Sequence, residues 1–76
     1  DAMLELARTG IERLVRAHVM KLPHRVSKDF KAGMRTAFWL QIRGYAYVPY
    51  FKPGAAKLDA FKSGYLHARS SIKGAS

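Results

Sequence analysis

Apolar side chains recur at steps of three and four residues in three stretches of the chain, and prolines separate those stretches. That period belongs to amphipathic helices; a half-buried strand would alternate at every second position. In the first stretch Leu4, Ala7, Ile11, Leu14, Val15, His18 and Leu22 share a face, with Glu5, Thr9, Glu12, Arg13 and Arg16 opposite. The pattern predicts a helix over about 2–22, stopped by Pro23, which cannot continue one. Gly10 lies inside it and costs about 1 kcal/mol relative to Ala. Thr9 and Glu12 have the spacing of a capping box, so one helix with a weak point and two shorter pieces both satisfy the pattern.

The second stretch predicts a helix over about 27–47, with Ser27 as N-cap, Asp29 in the first turn and Val48-Pro49 as the stop. Phe30, Met34, Phe38, Ile42 and Tyr45 form its apolar stripe, bordered by Gly33, Ala37 and Gly44, whose small size lets another helix approach. Opposite that stripe, Arg35, Trp39 and Arg43 follow at four-residue steps, and the expectation is an outward face with one indole between two guanidinium groups. Residues 48–54 read as an extended link ending in a turn at Gly54. A third helix is expected over about 55–69. Its stripe is Leu58, Phe61, Tyr65, Ala68 and Ile72, with Lys57, Asp59, Ser63 and His67 outside and residues 70–76 frayed. The fold class is all-α: three amphipathic helices joined by proline-containing connectors in a single domain, without internal repeats.

Size changes that picture. A chain of 76 residues buries only about 60% of its unfolded surface, and without cysteine it has neither disulfides nor thiolate metal ligands to compensate. A hydrophobic fraction of 49% argues against intrinsic disorder, yet Trp39, Tyr47, Tyr50 and Leu66 fall off the three stripes and need cover. The expectation is therefore a domain that is not self-sufficient and whose core partner surfaces complete.

Charge adds the sign of a partner. The formal net charge is +9, and its centre of weight is Arg25, Lys28, Lys31, Arg35, Arg43 and Lys52 against Asp29 alone. Nucleic acid phosphates, anionic lipid headgroups and acidic protein surfaces would all select such a chain. The chain opens on Asp1 rather than Met, as a processed or trimmed product would, and its first residues lack the pattern of a secretory signal. The apolar-looking run 32–51 contains Arg35 and Arg43, each costing up to about 3 kcal/mol at a bilayer centre, so a solitary span is not expected.

Catalytic chemistry finds no foothold. Asp1, Glu5, Glu12, Asp29 and Asp59 are scattered, His18, His24 and His67 sit on separate segments, and no glycine-rich phosphate loop is present. The chain is read as a non-enzyme without cofactor, metal or small-molecule substrate, with His18 a packed residue of the first helix. Two candidate surfaces remain. Arg25, Lys28, Lys31, Arg35, Trp39 and Arg43 are candidates for polyanion or partner contact, and Tyr47, Tyr50 and Phe51 with Lys52 resemble an aromatic belt with a basic flank. The preferred function is an accessory subunit of a large membrane-associated, energy-transducing assembly of respiratory or ATP synthase type, at the mitochondrial inner membrane. Its partners would be neighbouring subunits and anionic headgroups. The preference rests on basic residues diluted by aromatics and spread over three helices rather than gathered in tails. The alternative is a ribosomal-type RNA- or DNA-binding protein that stacks bases on the Arg35-Trp39-Arg43 face, although no RNP, KH or zinc-finger signature accompanies it.

Overall fold

The computed structural model describes residues 2–74 and consists of helices α1 (Ala2–Met20), α2 (Lys28–Arg43) and α3 (Ala56–Gly74). The all-α class follows from the helical period. α1 runs unbroken through Gly10, so the Thr9–Glu12 pair does not start a second helix. Burial of Ile11 and Val15 in the core offsets the glycine penalty. The helix closes at Met20, where the amides of Lys21 and Leu22 donate to the carbonyls of His18 and Val19 at 3.2 and 3.1 Å in a tightened last turn.

α2 begins as expected: the Phe30 amide donates to the Ser27 hydroxyl oxygen at 3.1 Å, and Asp29 sits in the first turn, where the helix dipole favours it. Its end differs from the expected 47. Gly44 adopts the left-handed conformation (φ 80°) and its N–H donates to the Leu40 carbonyl at 3.0 Å, which terminates the helix at Arg43. A left-handed glycine is a stronger stop than the distant Pro49, and following the apolar spacing on to Tyr45 overran it. Ile42 and Tyr45 accordingly leave the expected core stripe and are more than half exposed. α3 starts at Ala56 and continues to Gly74, so residues 70–74, expected to fray, are helical; 75–76 lie outside the described residues. The side chain of Ile72, placed on the α3 stripe by its spacing, is also outside the description.

The core gathers Ile11 and Val15 of α1, Met34, Ala37 and Phe38 of α2, and Ala68 of α3, with Val19, Phe30, Trp39 and Tyr65 packed against it. α2 and α3 meet backbone to backbone at Gly33 and Gly64. A Cβ on Gly33 would overlap the Phe61 carbonyl and stand 2.8 Å from the Tyr65 nitrogen; one on Gly64 would overlap the Phe30 carbonyl. Gly33 was legible as a close-approach residue, and Gly64 is its unforeseen counterpart. The 44–55 connector folds back on this pair. The Thr36 hydroxyl donates to the Tyr47 carbonyl at 3.4 Å, the Phe51 ring lies 5.2 Å from that of Phe61, and Gly54 (φ 81°) makes the turn into α3.

Candidate functional site

The Arg35-Trp39-Arg43 row does not form an outward platform. α1 lies across this side of α2, and the Arg35 guanidinium donates through Nε and Nη2 to the two carboxylate oxygens of Glu12, the second at 3.2 Å. Trp39 is half-buried against the core, its ring 6.2 Å from that of Tyr45 and tilted by 34°. Arg43 alone of the three is exposed. Which helix covers that face is a tertiary fact that a four-residue step cannot reveal.

What the fold assembles instead is a basic seam between α1 and α2. Arg16, Lys31 and Arg35, from two helices, line with Val15, Val19 and Met20 a cleft of about 250 Å³ around the lone carboxylate of Glu12. Arg16 was assigned only to a polar helix face; no local signal links it to Lys31. Arg25, Lys28 and Lys31 are exposed, as a solvated or polyanion-binding role requires. Arg8 is engaged by Glu5 at 3.1 Å and contributes, with Leu4, Trp39, Tyr45, Tyr47 and Pro49, to a second cleft of about 420 Å³.

The aromatic anchors divide. Tyr47 and Tyr50 are 83% and 84% exposed, and Lys52 is exposed beside them, whereas Phe51 is half-buried against Phe61 and closes the core. Next to this connector the α2–α3 pair leaves an open groove of about 510 Å³, walled by Leu40, Val48, Leu58, Phe61, Tyr65 and Leu66 and touched by the single cation Lys62. α1 contributes nothing to its lining. Leu66 had been marked as an apolar residue without cover; Leu40 had not, because its neighbours carried the stripe.

His18 is half-buried with its ring 5.3 Å from that of Phe38. Desolvation pushes its pKa below 6.5, and the positive charges of Lys21 and His67 act in the same direction. His67, expected on the outer face of α3, is half-buried with its ring 5.9 Å from Phe30. Among the described residues no three His, Asp or Glu side chains converge as metal ligands would, and no helix is long and apolar enough to cross a membrane. Chemically the surfaces offer apolar contact and cationic pairing. The fold defines a small all-α protein with a two-helix core unit and a third helix laid across it. No protein-family model matches the chain, and no curated protein or solved structure does.

Proposed function

We propose that the protein is a non-enzymatic accessory subunit of a large membrane-associated assembly, energy-transducing in kind, in which partner subunits cover its apolar groove and exposed tyrosines. One observation carries this reading. The chain exposes 5650 Å², whereas a self-sufficient globule of 8.6 kDa exposes about 4,700 Å². The excess is close to the roughly 800 Å² that each partner contributes to an interface of standard size. Large apolar side chains are among the exposed residues, Leu6, Met20, Tyr47, Val48, Tyr50 and Leu66 included. The groove walled by Leu40, Val48, Leu58 and Leu66 suits the apolar face of an added helix, and the cations distributed over all three helices suit acidic neighbours and anionic headgroups.

A nucleic-acid role draws its support from the Arg16–Lys31 seam. It loses the stacking platform, because Trp39 is covered and Arg35 is engaged. Extraction from native membranes separates the two readings. The accessory-subunit reading expects the chain to remain with hydrophobic subunits through nuclease and high salt and to leave with them in detergent. Release by nuclease alone would replace it with the ribonucleoprotein reading.

A further inference from the structure

The surface that the core and the α2–α3 groove leave unexplained is the outward side of α1. Leu6, Ala17 and Met20 stand there, eleven and three residues apart, on the side turned away from Ile11 and Val15, while Leu14 flanks Ile11 at the edge of the core face. Leu6 and Met20 are 73% and 78% exposed. The clefts described above are not lined by Leu6 or Ala17. A helix that presents apolar side chains together with cations settles at the boundary between headgroups and acyl chains, its long basic side chains reaching out to the phosphates.

The electrostatics single out an anionic surface. Arg13 stands within the arc of Leu6, Ala17 and Met20, seven residues from both Leu6 and Met20, and Arg16 borders it on the α2 side, where Lys31 joins Arg16 and Met20 along the seam; Lys21 follows at the end of the helix. The carboxylates of α1 among the described residues are already engaged, Glu5 by Arg8 and Glu12 by Arg35, so these cations are not neutralised locally. We propose that α1 lies on an anionic bilayer surface, with Leu6, Ala17 and Met20 seated at the headgroup boundary and Arg13, Arg16 and Lys31 on lipid phosphates. This rests on the membrane-associated reading and names the surface that makes the contact.

Flotation of the chain with vesicles of phosphatidylcholine alone, or of phosphatidylcholine with phosphatidylglycerol, tests it. The chain is expected to float with the anionic vesicles and to partition poorly into the neutral ones. Replacing Leu6 and Met20 by Gln should lower the anionic partition coefficient about tenfold, from lost apolar burial. Replacing Arg13 and Arg16 by Gln should lower it about thirtyfold, at about fivefold per cation near the surface. All four positions are exposed, and far-UV circular dichroism verifies that each variant keeps its helices. Equal binding to both vesicle types overturns the proposal, and so does anionic binding indifferent to the Leu6 and Met20 replacements, which would mark unspecific charge attraction. Quantitative transfer of the chain from anionic vesicles to poly(U) RNA also overturns it in favour of a nucleic acid. A chain that ignores vesicles but still copurifies with hydrophobic subunits loses this inference and keeps its place as an accessory subunit.

Discussion

Glycine has opposite meanings at two positions of this chain, and sequence alone does not separate them. At Gly10 nothing lies within 4 Å of a built Cβ, so Gly10→Ala should stabilise the protein by about 0.5–1 kcal/mol through helix propensity. At Gly64 the same methyl group would enter the backbone of Phe30, and Gly64→Ala should destabilise by about 1–3 kcal/mol or more as α2 and α3 are forced apart. Urea denaturation of the two variants side by side tests both signs. His18 supplies a pH dependence. Its folded pKa lies below 6.5, so the unfolded chain binds more protons in the window below that value and stability falls as pH drops through it. Stability in urea should therefore be higher at about pH 7.5 than at about pH 5.5, with part of that slope removed in His18→Gln. An unchanged slope in the variant would show that His18 does not supply this pH dependence.

At the scale of elements, the three helices are unequal partners. α2 and α3 interlock through Gly33 and Gly64, while α1 is held by Ile11 and Val15, by Val19 and His18 at the edge of the core and by one exposed ion pair. An exposed pair contributes about 0–1 kcal/mol, whereas truncating a fully buried isoleucine costs about 2–5 kcal/mol. Ile11→Ala is thus expected to detach α1, and Glu12→Gln to leave it in place with a loss under about 1 kcal/mol. Amide hydrogen exchange reads this directly: α1 amides should exchange faster than those of α2 and α3 in the wild type, and Ile11→Ala should widen the gap. Protection as high in α1 as in α2 would mean that the three helices unfold as one unit.

For the molecule as a whole, the proposed accessory role has a consequence for stability: partners that cover the exposed large apolar side chains would add to it. Residues that face a partner and not the core have a distinctive signature. Leu40→Glu and Leu66→Glu, on the walls of the open groove, should change the stability of the isolated chain by no more than about 0.5 kcal/mol, as surface substitutions do. The same changes should prevent retention of the chain in the proposed assembly, measured by copurification. If they destabilise the isolated chain by several kcal/mol, the groove walls belong to the intrinsic core; if retention is untouched, the groove is not the docking surface.

The sequence by itself determined the helix number, the start of α2 at Ser27 and the helical faces, because a side-chain period and a capping hydroxyl act within one or two turns. It also held the stop at Gly44, legible as a glycine after a basic last turn, although Tyr45 continued the apolar spacing past it. Only the tertiary structure decided what covers the second face of α2. Arg35 and Trp39 were placed on one face by their spacing, and the crossing of α1 over that face turned an expected platform into a seam, through Glu12. The pairing of Gly33 with Gly64 and the meeting of Arg16 with Lys31 were likewise invisible, since each joins residues from different helices. Local periodicity specifies directions around a helix axis. The relative position of two axes is set by how their side chains pack, and that information is distributed over both helices.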